Sequence, residues 1–370
     1  MTQTASSISP SALAPLAGLR AFHPGWFGAV MGTAIVGVAA FSNPGNIAAL
    51  APLARIVGIA FAVLAYALFI ALGIPYVWRW FRHPDAALKD LQHPILGGLY
   101  GTFPGGIIVL AVMTAAIGPA ILSADLIFMI VAVLATIGTV LAFAISVVFA
   151  YTLFVTPSVN MENANGGWFI PPVVNIIIPM GLVPLLPRAD AETARLLLVT
   201  SYAAWGIGFF LFLMVASLLY DRLVYHPLPA APLAPSLWIG LGPIGVGGLA
   251  LVRMAQAGAN VWGDQSAAVS AFSNIFALAL WGFGIWWLSA AILLLRKYLR
   301  QGGLPYGIGW WAFTFPLGAY TVDTLTLART LKVNVFEWFG AVLFVLLAAF
   351  WLVVTLRTLM GVRTGEAWRR

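Results

Sequence analysis

PYGIGWWAFTFPLGAYTVDTLTLARTLK, residues Pro305 to Lys332, decides how the rest of the chain is read. It is long and apolar enough to cross a bilayer, yet it makes a poor helix. Pro316 falls inside it and would strip the Ala312 carbonyl of its helical partner, and Gly307, Gly309 and Gly318 lower the helix propensity further. Asp323 lies in its last third. Lipid cannot satisfy free backbone groups, so an interrupted span has to face protein or a water-filled cavity. The stretch is therefore expected in the interior of a bundle. Phe315 and Pro316 follow Pro305 by 10 and 11 residues, roughly 15 Å of helical rise, near the middle of a hydrocarbon core about 30 Å thick. A bulky ring beside a break at that depth reads as a constriction on a permeation path. The competing reading is a kinked packing helix.

The rest of the chain agrees with a membrane setting. Of 370 residues 62% are hydrophobic and 8% charged, and the mean hydropathy is +0.99. No soluble domain of this size is built that way. The net charge of +7 does not indicate nucleic acid, because the basic residues cluster in loops, where membrane topology places them. There is no cysteine, which excludes disulfides, thiolate metal sites and thiol redox chemistry. Residues 1–19 lack the basic and apolar regions of a cleavable signal.

Apolar runs predict ten spans, at about 24–43, 53–80, 95–118, 123–155, 167–187, 191–222, 236–257, 264–298, 305–330 and 335–359. Odd spans are rich in glycine and proline; even spans are smooth runs of Leu, Ala, Val and Phe. Pro24 to Pro94 is 70 residues, Pro235 to Pro305 is 70, and Pro94 to Pro235 is 141, about two such steps. Five helix pairs follow from that period. The expected fold is all-α and polytopic: ten transmembrane helices as five hairpins, with kinked odd helices as an inner ring around a central pore and even helices as an outer ring. Expected boundaries are a disordered cytoplasmic tail over 1–22, the membrane domain over 23–360 and a short basic tail over 361–370. Ten crossings put both termini on one side, which holds 12 of the 18 Lys and Arg residues. Both termini are expected in the cytoplasm of a cell whose (inner) membrane holds the protein.

Chemistry-bearing residues are few. His23, His83, His93 and His226 each precede proline. They read as loop and helix-start residues rather than as a metal cluster, and neither a metal nor a cofactor is expected. No hydrolase, Walker or dinucleotide fingerprint occurs, and an enzyme is not expected. The inner ring offers hydroxyl and amide groups at Thr33, Thr102, Asn175 and Thr314. Beside these stand Gly37, Pro104, Pro179, Gly242 and Pro243. A pore without an acidic ring suits anions. Arg253, Arg329 and Lys332 would form an anion-attracting mouth, with an Asp323–Arg salt bridge as the alternative. Asp323 itself is a possible coupling carboxylate. Asp264 and Glu337 read as helix-start residues.

Phe22 to Val36, FHPGWFGAVMGTAIV, resembles the FxPxWFxxVMGTGIV signature of the tellurite-resistance/dicarboxylate transporter family, with Ala34 where that family often has glycine. GTFP at Gly101–Pro104, Pro171-Pro172 and WWAFTFP at Trp310–Pro316 resemble further motifs of it. The family holds bacterial tellurite-resistance proteins, fungal malate permeases and sulfite exporters, and plant slow-anion channels. The resemblance implies a homotrimer with one pore per protomer and a phenylalanine gate in the ninth helix, Phe315 by position or Phe313. It implies passage of small anions, with C4-dicarboxylates such as malate first and sulfite or tellurite-like oxyanions second. A membrane receptor without transport is the reading from another class.

Overall fold

The computed structural model describes residues 18–368, which are helical with no strand among them. The spans are α1 (Pro24–Phe41), α2 (Ala48–Arg82), α3 (Gly97–Ala120), α4 (Ala124–Val155), α5 (Gly166–Arg188), α6 (Ala191–Tyr225), α7 (Ala231–Ala257), α8 (Ala259–Arg300), α9 (Phe315–Leu331) and α10 (Asn334–Thr364). Most of the expected N-terminal tail lies outside the described residues. At its end, Gly18–Ala21 form a 3₁₀ turn and Phe22 is buried. At the other end α10 continues to Thr364, and residues 369 and 370 lie outside the described residues.

Burial separates the spans into two rings. In the most apolar stretch of α1, α3, α5 and α7, 67 to 94% of residues are buried; in α2, α4, α6, α8 and α10 the share is 22 to 28%. All residues of α9 from Phe315 to Ala328 are buried. The inner ring closes on itself: α1 packs on α3, α3 on α5, α5 on α7, α7 on α9 and α9 on α1. Each outer helix packs on its own hairpin partner and on the next inner helix, so α2 sits on α1 and α3, and α10 on α9 and α1. The exposed Leu, Ile, Val and Phe side chains of the outer ring suit lipid.

Glycine and proline act in the inner ring at one recurrent place. The residues Pro24–Trp26, Gly97–Gly101, Gly166–Phe169, Ala231–Gly240 and Ile308–Phe313 are 3₁₀ turns, each leading into an α-helix. The α-helical parts begin at Phe27, Thr102, Ile170, Leu241 and Phe315. Pro104, Pro171, Pro172, Pro243 and Pro316 all fall within the first three residues of those helices. There the missing N–H costs nothing, because the first turn has no intrahelical acceptor for it. This corrects the expectation of a kink. Pro316 does not bend a continuous helix; Thr314 (φ −96, ψ −67) separates a 3₁₀ turn from a new helix. α5 breaks twice more, at Ile177 and from Val183 on, where a 3₁₀ turn carries Pro184 and Pro187.

The inner helices meet closely. A Cβ on Gly245 would stand 2.5 Å from the Tyr320 backbone nitrogen, and one on Gly318 would stand 2.4 Å from Ile35 Cγ2. The first clash is with backbone, which cannot step aside. Gly245→Ala is expected to destabilise the protein by about 1–3 kcal/mol, whereas Gly282→Ala, which meets nothing within 4 Å, should be neutral or better. Melting curves of the two variants in one detergent test this.

At the face where the described ends meet, the short helix Pro84–Leu91 lies between α2 and α3. It is held by a buried ion pair that the sequence did not suggest. Arg79 donates through Nη2 to Asp90 and through Nη1 to Tyr100 Oη at 3.0 Å, and Tyr100 donates to the Ala87 carbonyl at 2.9 Å.

Candidate functional site

Two cavities open on opposite faces of the inner ring, and the same five inner segments line both. The first is on the face where the ends meet; there Trp368 stacks on Trp26 with centroids 5.2 Å apart. This terminal-face cavity has a volume of about 530 Å³. Its wall is mostly apolar: Met31 from α1, Leu99 from α3, Ile170 and Val173 from α5, Ile239 from α7, and Trp311 and Phe315 from α9 and its leading turn. Several of its polar groups are engaged, while the Tyr306 hydroxyl and the Trp311 indole N–H have no partner among the described residues. Thr102 donates to Pro24 O and Leu99 O at 2.8 Å, and Ser236 donates to Leu233 O at 2.6 Å. His23 Nδ1 accepts the Gly25 N–H at 3.0 Å. The 3₁₀ turns of the inner segments supply much of this wall.

The far-face cavity has a volume of about 620 Å³. Ile35, Val38 and Ser42 come from α1, Val112 from α3, Met180 from α5, Leu249, Arg253 and Gln256 from α7, and Val322, Leu325, Thr326, Arg329 and Thr330 from α9. Between the cavities the ring is filled. On α1 the wall passes from Met31 to Ile35 in four residues, about 6 Å of rise. On α9 it passes from Pro316 to Val322. Inside this layer neighbouring inner helices meet closely, at Gly245–Tyr320 and Gly318–Ile35, and Gly242 faces Val173 and Pro316. Phe315 stands at the closed end of the terminal-face cavity and is 5% exposed.

The structure sorts the residues singled out from sequence. Phe315, Pro316 and Thr102 line the terminal-face cavity. Phe313 does not: its ring stacks on Phe350 at 5.2 Å and meets Trp238 edge-on at 5.4 Å. Thr33 and Gly37, expected on the pathway, face the outer ring. The Thr33 hydroxyl accepts the Trp351 indole N–H at 3.1 Å, and Gly37 lies against Phe61 and Gly58 of α2. Thr314 is fully buried and donates to Trp311 O at 2.8 Å. Asn175 is fully buried and donates to Pro171 O at 2.9 Å. Pro104, Pro179 and Pro243 sit in first turns of helices and line neither cavity, nor does Gly242. α1, α3 and α5 are apolar on nearly every side, so no polar stripe tells which of their faces meets the axis.

The cationic mouth also divides. Arg253 and Arg329 line the far-face cavity; Lys332 closes α9 in the left-handed region at φ 56 and is not in the wall. Arg329 is bound to Glu337, through Nη2 at 2.8 Å and Nε at 3.2 Å, and its Nη2 also donates to Ser42 O at 2.7 Å. Glu337 is thus a partner as well as a first-turn residue of α10. The Asp323–Arg pair does not form. Asp323 is fully buried, and both its oxygens lack a hydrogen-bond partner among the described residues. It points at Gly248 of α7, where a Cβ would stand 3.0 Å from each oxygen. Gln256, Thr326 and Thr330 escaped the sequence reading. The signal was present: Val322, Thr326, Arg329 and Thr330 are spaced by three and four on one helical face.

Among the described residues no group of three or more His, Asp or Glu side chains is placed to hold a metal ion. His93 Nδ1 accepts the Ile95 and Leu96 N–H groups at 3.1 and 3.3 Å, a capping role.

Residues 21–359 match the family model described as voltage-dependent anion channel. An uncharacterised transporter of Methanocaldococcus jannaschii is 33% identical over 95% of this chain and 96% of its own. A sulfite efflux pump of Trichophyton rubrum is 26% identical over 94% of this chain and 92% of its own. The malic acid transport protein of Schizosaccharomyces pombe is 22% identical over 91% and 77%.

Proposed function

The chain belongs to the SLAC1 voltage-dependent anion channel family, and from that membership we propose a small oxyanion as its cargo, passing along the axis of the inner ring with Phe315 as the gate. It is a multi-pass membrane transporter of anions, not an enzyme. The observation that carries the reading is the pair of cavities on opposite faces, lined by the same five segments and parted by one packed layer with Phe315 at its edge. A receptor has no use for that arrangement.

C4-dicarboxylates such as malate are the first candidates for cargo, and sulfite is the second. The malic acid transport protein supports the one; the sulfite efflux pumps, similar over more of their own length, support the other. The terminal face is assigned to the cytoplasmic side of the cell (inner) membrane from the distribution of Lys and Arg. A homotrimer with one pathway per protomer follows from the family resemblance alone. Asp323 is the proposed coupling carboxylate if transport is driven by a proton gradient.

Liposome flux with chloride, nitrate, malate and sulfite tests the proposal. Anion flux above protein-free vesicles, with an order among the four, is the expected result. No flux of any of them into vesicles holding folded protein would overturn it. The route has its own test, eased by the absence of cysteine. Cysteines placed at Thr102 and Thr326 should react with water-soluble thiol reagents at least about tenfold faster than cysteines at Thr33 or Phe313, whose side chains contact the outer ring. Equal rates at all four would deny an axial route.

A further inference from the structure

The far-face cavity holds two arginines in different states. Arg329 is neutralised by Glu337 and tied to the end of α1 through Ser42 O. Arg253 lines the same cavity with its side chain exposed, and among the described residues no acceptor lies within hydrogen-bonding distance of its guanidinium. Among the described residues no carboxylate lines this wall. The cavity therefore carries one uncompensated positive charge between low-dielectric walls, which concentrate its field.

The neighbours of Arg253 are donors. Gln256 follows it by three residues on the same helix. Thr326 and Thr330, four residues apart on α9, line the same cavity. Elsewhere on α9 and its leading turn the hydroxyls are used up internally. Thr314, Thr321 and Thr324 donate to Trp311 O, Leu317 O and Tyr320 O at 2.8, 2.8 and 2.7 Å. Thr326 and Thr330 make no such bond among the described residues. Thr326 is 8% exposed, yet its oxygen is not among the buried unpartnered atoms, so the hydroxyl opens into the cavity. A planar fork of N–H donors, an amide and two free hydroxyls are what an oxygen-rich anion requires: two oxygens for the guanidinium edge and further oxygens for the hydroxyls. Chloride, a sphere, uses only the charge.

We infer that the far-face cavity is a binding site for one oxyanion group, a carboxylate or a sulfite, held edge-on by Arg253 and finished by Thr326 and Thr330. The site rests on the anion-transport reading for its purpose but not for its measurement. With a single free cation it grips one end of a dicarboxylate and leaves the other end in water. Acetate and succinate should therefore bind with similar strength, and chloride more weakly than either.

Calorimetric titration of the full chain in detergent at low ionic strength, with sulfite, acetate, succinate and chloride in turn, tests the site. Saturable binding of the oxyanions is expected, and the tighter of sulfite and acetate names the source. Arg253→Gln should weaken oxyanion binding at least about tenfold. Arg253→Lys keeps the charge and removes the fork, so it should lower oxyanion affinity while leaving chloride unchanged. Thr326→Val should weaken the oxyanions alone. A melting curve of each variant separates loss of binding from loss of fold. Absence of saturable binding in the wild type, unchanged oxyanion affinity in Arg253→Gln, or an unchanged preference over chloride in Arg253→Lys would each overturn the site. Flux in vesicles from the same preparation distinguishes the two failures. Flux without binding removes the site and spares the transport reading; binding without flux does the reverse.

Discussion

Phe315→Ala is expected to raise anion flux by roughly a hundredfold, equivalent to about 2.7 kcal/mol of barrier at 1.36 kcal/mol per decade. Phe315 is at the closed end of the terminal-face cavity, the first residue of α9, directly before the proline that starts the helix. An apolar ring in a narrow passage excludes water, and an anion that enters must shed hydration with no ligand to replace it. Truncating the ring widens the passage and lets water in. Phe313→Ala is the control. Its ring packs between Phe350 and Trp238, so truncation there should cost stability, about 3–5 kcal/mol for a well-packed phenylalanine, without opening the axis. Vesicle flux of both variants, each with a melting curve, is the measurement. A folded Phe315→Ala protein that conducts no faster than wild type would remove the gate from the proposal.

Asp323→Asn should abolish accumulation driven by a pH gradient and leave downhill exchange intact. Asp323 is fully buried, and neither oxygen has a partner among the described residues. Every helix around it offers the same answer. α7 presents Gly248. On α8 the Trp281 indole N–H is given to Thr324 at 2.9 Å and its carbonyl is taken by the Tyr320 hydroxyl at 2.7 Å. α10 brings Gly340 against Leu325 and Thr324, and α1 brings Ile35 against Gly318. Among the described residues no cation and no spare donor faces the carboxylate, and an ionised group left without either is costly by several kcal/mol. Charged and neutral Asp323 cannot share this packing. In the proposed coupling role, proton binding is linked to the packing of α9, the helix that begins with Phe315 and carries Thr326. Asparagine keeps the shape and removes the proton. Concentrative uptake that persists in Asp323→Asn would exclude this group as the coupling site.

The ten spans and their division into two rings were legible because lipid and protein make different demands on a helix. Glycine and proline are tolerated where neighbours cover the backbone, so Gly97 to Gly106 and Pro305 to Gly318 declared their interior position. Directions around each helix were not legible. α1 is apolar all round, and nothing local tells that Thr33 turns to Trp351 while Met31 and Ile35 turn to the axis. Pairing was equally hidden. Arg329 meets Glu337 across the left-handed turn at Lys332 rather than the nearer Asp323, a choice made by the fold of that turn. Nothing local pairs Arg79 with Asp90 or brings Tyr100 of α3 onto the other edge of the Arg79 guanidinium. Proline was read by its usual effect in mid-helix, whereas its neighbours here end a 3₁₀ turn before the helix begins.

Those turns give the inner ring a reserve of length. A residue in a 3₁₀ turn advances about 2.0 Å and rotates about 120°; in an α-helix it advances about 1.5 Å and rotates about 100°. Each residue that changes from one winding to the other withdraws its span by about 0.5 Å and turns it back by about 20°. The stretch Ala231–Gly240 has ten such residues and Ile308–Phe313 has six. The outer helices α4, α6 and α10, continuous α over Ala124–Val155, Ala191–Tyr225 and Asn334–Thr364, have none. Screw-like movement is thus open to the helices that bear Phe315 and Arg253 and closed to α4, α6 and α10, so that, with Phe315 as the proposed gate, a change of bore would leave these three outer helices in place in the membrane.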